Sequence, residues 1–292
     1  DNNIVPTGGS ITLTKEEYTE NPIYITKTLD VNGQKVGYIM YNAFTANFDE
    51  DLNNAFSELK AEGITELVLD LRYNGGGSVR TATDLSAMIT GQFGGEIFST
   101  EVWNPQIQAI LEENDAESLE NRFNTNLRSG TSINTLNLNR IFVLTTGSTA
   151  SASELVINGL DPYISVVQIG TTTTGKFQAS TTFYDSEAPN FQRDGASPNH
   201  FYAIQPLIFT SANANGVTGF VNGLEPDIEL SETIRNFGVL GDPEEPLLAA
   251  ALLEISEGRA AQKIGGLGLE VIGERKMNDP NYQRMYVDLQ NK

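Results

Sequence analysis

Arg140-Ile-Phe-Val-Leu-Thr-Thr-Gly-Ser-Thr-Ala-Ser-Ala-Ser-Glu154 is the stretch whose reading decides the fold. Arg140 to Leu144 is an apolar run of strand length, as expected for a strand buried on both faces. Thr145 to Ala150 are small turn formers. Glu154 to Leu160 carries a helical apolar pattern. A strand, a tight turn and a helix therefore follow one another, and Ser151 falls at the helix start. A serine there can act as a nucleophile. The same four residues, Ser151-Ala-Ser-Glu154, also fit an ordinary capping box, and from that pattern alone a plain N-cap is the simpler reading.

Working outward, Pro162 ends the helical segment. Ile164 to Ile169 reads as a second buried strand, and Thr171-Thr-Thr-Thr-Gly-Lys176 as a loop leaving it. Upstream, Asp49 to Glu62 is amphipathic, with Leu52, Ala55, Phe56 and Leu59 on one face and acidic residues in the first turn. Glu66 to Leu71 is another apolar strand, followed by Arg72-Tyr-Asn-Gly-Gly-Gly77 and a helix over 79–90. Strand-helix alternation from 36 to 170 predicts an α/β fold. Parallel strands joined by helices make right-handed crossovers. The glycine run, Ser151 and Lys176 should then meet at one sheet edge, where open α/β sheets build their sites.

The remaining segments are less regular. Ser10–Thr14 alternates like a strand. Ile23–Thr26 and Val36–Tyr41 flank an Asn32-Gly33 hairpin signal. Residues 96–103 read as a strand, and 106–111 and 116–122 as short helices. Asn124 to Asn139 reads as loop, and the insertion over 95–139 as a lid or groove beside the core. Phe201–Thr210 is β-like, Pro246–Ile255 helical, and the polar, Gly-rich tail is expected to be peripheral.

Composition narrows the function. The 292 residues carry 18 Lys+Arg against 38 Asp+Glu, a formal net charge of -20. That excess disfavours nucleic acid and anionic lipid surfaces. There is no cysteine and one histidine, so disulfides, thiolate metal sites and paired-histidine zinc motifs are excluded. No apolar run approaches the ~18 residues of a membrane span. Asp1-Asn-Asn opens a polar stretch without a signal peptide, which reads as a processed or trimmed start.

The residue set suits acyl transfer. A serine hydroxyl needs a base, and a lysine serves only when neutral. Bringing a lysine from a pKa of ~10.4 to near 7 takes ~3 units, about 4 kcal/mol of desolvation. Amides of Gly76, Gly77 and Ala152 are candidate oxyanion donors. Blander readings stand beside this one. Lys176 alone reads as a surface lysine, Asn74–Gly77 as a turn, and Asp70 with Arg72 as a salt-bridged brace. His200, in a Pro/Asn loop, reads as structural, with a Ser-His pair left open.

Together, Thr149-Ala-Ser-Ala-Ser-Glu154, Gly175-Lys176 following Ser151 by 25 residues, Asp70-Leu-Arg-Tyr-Asn-Gly-Gly-Gly77 and Gly223-Leu-Glu-Pro-Asp-Ile228 resemble the C-terminal processing (tail-specific) proteases, peptidase family S41. The resemblance covers about residues 35 to 255. It implies a ClpP/crotonase-like catalytic domain over 35–257, after an N-terminal β connector (1–34) and before a peripheral tail (258–292). It implies Ser151 as nucleophile, Lys176 as general base, and Gly76, Gly77 and Ala152 as the oxyanion hole. It further implies protein or peptide substrates cut near their C-termini, a cell-envelope location, and no metal or cofactor. Homo-oligomerisation is left open.

Two features depart from that family's pattern. Many members place a Gln four residues after the lysine. Ser180 stands there here, so Gln178 or Thr173 becomes the candidate lysine orienter. Members also usually have an upstream PDZ domain, and the roughly 34 residues ahead of the core are too few for one. Two alternatives remain in view: a non-catalytic peptide- or ligand-binding protein on the same fold, and a crotonase-like acyl-CoA enzyme, which the acidity disfavours.

Overall fold

The structure, a computed structural model, describes residues 10–16, 18–187, 191–257 and 283–287. The chain enters through a hairpin, β1 (Ile23–Val31) and β2 (Gln34–Tyr41), paired antiparallel around Asn32-Gly33. Helix α1 (Asp49–Glu62) crosses to β3 (Glu66–Asp70). The glycine loop then leads into a two-residue strand, β4 (Gly77–Ser78), and helix α2 (Val79–Thr90). Strand β5 (Ile97–Trp103), helix α3 (Pro105–Asn114) and strand β6 (Glu120–Arg122) build the insertion.

The central unit is β7 (Arg140–Thr145), α4 (Ala152–Leu160) and β8 (Ser165–Gly170). Strands β9 (Gln178–Ser180), β10 (Phe183–Tyr184), β11 (Ala203–Ile204), β12 (Leu207–Asn213) and β13 (Ile228–Glu229) follow. Helix α5 (Pro246–Glu257) and strand β14 (Met285–Tyr286) come last.

The main sheet has the order β1-β2-β3-β7-β8-β13, parallel from β2 onward. The edge strand β1 has no buried residue, whereas the central strands β3 and β7 are buried on both faces, which is why they read as unbroken apolar runs. Period-two alternation divides them. Leu67, Leu69, Ile141 and Val143 face the cluster of Leu52, Phe56, Leu85 and Val156 from α1, α2 and α4. Val68, Phe142 and Leu144 face Leu247, Leu248 and Ala251 of α5. Each such buried side chain contributes roughly 1.5–3 kcal/mol, and Phe142→Ala would cost about 3–5 kcal/mol.

A second sheet, β4-β14-β9-β12-β5-β6, packs across α2 and α4. Residues 116–122 do not form the expected helix. They make a 3₁₀ turn (Ala116–Leu119) and then β6, because Glu120 and Asn121 pair with the edge of β5. Ser10–Thr14 is not a strand, and Ile11 and Leu13 lie exposed with no sheet to join. The expected connector contributes β1 to the main sheet. The tail is not peripheral over 283–287: β14 runs inside the second sheet with Met285 fully buried. The rest of the tail, 258–282 and 288–292, lies outside the described residues.

Candidate active site

Three loops leave the main sheet at the same edge. The registers Asp70 with Leu144 and Thr145 with Gly170 bring the C-terminal ends of β3, β7 and β8 level. The glycine loop, the Ser151 turn and the Lys176 loop therefore start side by side.

The glycine loop is tied down by Asn74. Its amide nitrogen donates to Tyr41 O (2.9 Å), and its Oδ1 accepts from Gly76 N (2.9 Å). Its backbone carbonyl accepts from Ala150 N (3.1 Å) and Ser153 Oγ (3.0 Å). One buried asparagine thus joins this loop to the Ser151 turn. Gly76 and Gly77 must be glycine, with φ of 104° and 144°. A side-chain carbon on Gly77 would lie 2.3 Å from Phe44 O, and one on Gly76 would lie 2.7 Å from Ser151 Cβ.

Ser151 adopts φ 67°, ψ -113°, a conformation that costs a non-glycine residue of order 1–3 kcal/mol. Two contacts hold it there. Thr149 Oγ1 donates to Leu71 O (2.8 Å), and Ser151 N donates to Glu154 Oε2 (2.7 Å). The Ser-x-x-Glu pair sits as a capping box does. Its Glu154 half is tight, whereas Ser151 Oγ falls short of hydrogen-bond geometry and is buried without a partner.

Glu154 does more than cap. It is fully buried, and its carboxylate also accepts from Thr173 Oγ1 (2.6 Å), Gly175 N (2.6 Å) and Lys176 N (2.8 Å). The amides of Ser151 and Lys176 share one oxygen, Oε2. Leaving such a buried carboxylate unsatisfied would cost several kcal/mol, so it clamps the two loops together. The Gly223–Ile228 motif supports the lysine loop from behind. Leu224 N donates to Thr173 Oγ1 (2.8 Å), Thr173 N to Leu224 O (3.1 Å), and Gln168 N to Asp227 Oδ2 (2.8 Å).

Burial pushes the Lys176 amine down to about 8, against the opposing charge of Glu154. Its Nζ donates to the backbone carbonyl of Gln178. At pH 7 roughly a tenth of such an amine is neutral, against ~1 in 3,000 for an unperturbed lysine. That gain is what base chemistry at neutral pH requires.

The candidate residues fall as follows. Glu154 ties the backbones of Ser151 and Lys176 together, while Lys176 Nζ donates to Gln178 O and Ser151 Oγ makes no hydrogen bond. Gln178 meets the lysine by its carbonyl and not its side chain, and Thr173 bonds Glu154. Gly76 N is engaged by Asn74 Oδ1, while its Cα faces Ser151 Cβ and lies beside Ala152 N. His200 is not drawn in: it meets Asp185 at 3.1 Å on the excursion around 185–200.

Asp70 and Arg72 form a brace below the loop. Arg72 is fully buried, and Asp70 (2.9 Å), Glu232 (2.9 Å) and Glu245 (2.8 Å) pair with its guanidinium. Burial works against that charge, but the hydrogen bonds and charges of Glu245 and Asp70 raise Arg72 above its ordinary value.

Sequence reasoning missed the bridging role of Glu154 and the tie through Asn74. The clue to the first was an S-x-x-E box whose glutamate had a Gly-Lys loop to meet one crossover later. The clue to the second was an asparagine opening a glycine run.

The peptidase family S41 model matches residues 35–230. A carboxyl-terminal-processing protease of Picosynechococcus is 28% identical over 167 residues, covering 57% of this chain and 35% of that protein. The Synechocystis protein of the same name is 24% identical over 241 residues, covering 82% of this chain and 48% of its own. The chain thus spans less than half the length of these two relatives. A crystal structure described as an S41 protease from Bacteroides fragilis superposes with a TM-score of 0.70 at 29% identity, over 82% of this chain and 59% of that one. The family match takes in the glycine loop, the Ser151 turn, the Lys176 loop and the closing motif, and on it the chain belongs to peptidase family S41.

Proposed function

We propose that this chain carries the catalytic part of a serine endopeptidase that works through a Ser151–Lys176 dyad and cuts protein substrates towards their C-termini. The observation that carries this reading is the shared Glu154 oxygen, which fixes the Ser151 and Lys176 backbones against each other. Neutral Lys176 takes the proton of Ser151 Oγ as that oxygen attacks the scissile carbonyl carbon. The carbonyl oxygen becomes an oxyanion held by the amides of Gly77 and Ala152, at the α4 N-terminus. The C–N bond then breaks, the lysine proton passes to the leaving amine, and an acyl-enzyme remains on Ser151. Water, deprotonated by Lys176, hydrolyses it.

Substrate class and position of cleavage are taken from the names of the cyanobacterial relatives, which are carboxyl-terminal-processing proteases. A cell-envelope location is part of the same proposal. Among the described residues no helix is long and apolar enough to cross a membrane.

One observation favours a second reading. Ser151 Oγ has no hydrogen bond to Lys176 in this structure. If that separation is permanent, the chain holds peptides without cutting them. Cleavage of an unfolded protein by the parent chain, Ser151→Ala and Lys176→Ala decides between the two. The dyad reading requires activity in the first and none in the others, and a fluorophosphonate label on Ser151. Activity that survives either substitution refutes the dyad, and a parent chain that binds but never cleaves establishes the second reading.

A further inference from the structure

We propose that residues 283–287 of this chain are a resident occupant of the peptide slot in front of Ser151, and that they leave before a substrate enters. This rests on the peptidase reading above for what the slot receives, though not for whether it is filled.

The segment lies between β4 and β9 and runs parallel to both. Met285 pairs with Gly77, and Tyr286 pairs with Ser78 and Ser180. Val287 N donates to Ser180 O (3.1 Å), and Ser180 Oγ donates to Met285 O (3.0 Å). On the segment's side both use main-chain groups, which an extended peptide of almost any sequence offers to an open strand edge. One side chain, Met285, is fully buried and adds an apolar anchor.

The presented carbonyl is that of Arg284. A side-chain carbon on Gly76 would lie 2.7 Å from Arg284 O, 2.7 Å from Ser151 Cβ and 2.9 Å from Ala152 N. The Arg284 carbonyl, the candidate nucleophile and a candidate oxyanion donor therefore surround a single glycine hydrogen. That is the place a scissile carbonyl must occupy.

With the segment there, Ser151 has no exposed surface. A substrate carbon must come within ~3–3.5 Å of Oγ to react. Two chains cannot pair with the same edges of β4 and β9. Substrate and segment 283–287 are therefore mutually exclusive, and a two-residue strand is a small set of contacts to give up. The occupant escapes cleavage because the base is turned aside: Lys176 Nζ donates to Gln178 O, and Ser151 Oγ stays unpartnered.

The test uses the full chain carrying Ser151→Ala, and a fluorescent peptide copying residues 283–287, followed by anisotropy. Met285→Asp puts a charge where the buried methionine sits and should raise peptide affinity at least tenfold. Because that change could unsettle the second sheet, a lock gives an independent arm. Ser180→Cys with Tyr286→Cys places the only two cysteines of the chain at paired positions. Oxidation should weaken peptide binding at least tenfold, and reduction should restore it. Equal binding in the oxidised and reduced forms, or none in either, would make 283–287 a fixed strand and overturn the proposal. Neither arm depends on turnover, so it can fail while the Ser151→Ala cleavage test succeeds, and the reverse.

Discussion

Arg72 and Lys176 both sit just beyond strands of the parallel sheet, and both are drawn out of water, yet their protons are handled in opposite ways. Asp70, Glu232 and Glu245 surround Arg72, and its charge is locked on. Lys176 meets a neutral backbone carbonyl, with Glu154 turned mainly to amide donors, and its charge comes off near pH 8. Burial is common to both. The partners decide whether a buried cation is a structural rivet or a base in waiting.

Removing the proposed base should give the largest effect. Lys176→Met should lower kcat/KM about 10³- to 10⁴-fold while leaving the fold intact by circular dichroism. Next comes the rivet. Arg72→Met strands buried carboxylates and should cost about 3–5 kcal/mol in denaturant unfolding. If the two swapped effects, with Arg72 affecting only rate and Lys176 only stability, the contrast would collapse.

Glu154→Gln comes third. An amide cannot accept at both oxygen positions, so two of the loop contacts fail. Stability should drop by about 2 kcal/mol and kcat about 10²-fold as the loops separate. Glu232→Gln sharpens the other side. This carboxylate sits at the margin of the Arg72 cluster, 10% exposed, and its loss should cost only about 1 kcal/mol.

The smallest effect concerns pH and stability. The folded chain releases the Lys176 proton near pH 8, and the unfolded chain near 10.5. Between those values the unfolded state binds more protons, so this group's contribution to stability rises with pH and is unfavourable below 8. Lys176→Met should therefore melt slightly higher than the parent at pH 7, with the gap closing as pH rises through 8 to 10.5.

Much of the core was legible because it depends on local periodicity. Helices over 49–62 and 79–90 and the strands starting at 66 and 140 lie where apolar spacing and small-residue turns put them. The meeting of Ser151 with the Lys176 loop followed from parallel topology, given level strand ends. What escaped was non-local. Glu154 satisfies a complete local pattern as a cap, and nothing within four residues reveals its second set of donors at 173–176. Residues 116–122 have helical composition but sit against an open strand edge, and pairing outweighed propensity. Strand β14 is two residues long and exists only because Gly77 and Ser180 offer edges far away in the chain. A polar tail gives no periodic sign of that.

The central claim is that burial takes the charge off the Lys176 amine, on the loop that Glu154 ties to the Ser151 turn. The most direct measurement is an NMR titration of the Lys176 Cε resonance in the full chain, assigned by comparison with Lys176→Met. A midpoint near 8 is the predicted result. A midpoint at 10.5 or above would contradict it, because no useful fraction of base would then exist at neutral pH and Ser151 would have to be activated by another group.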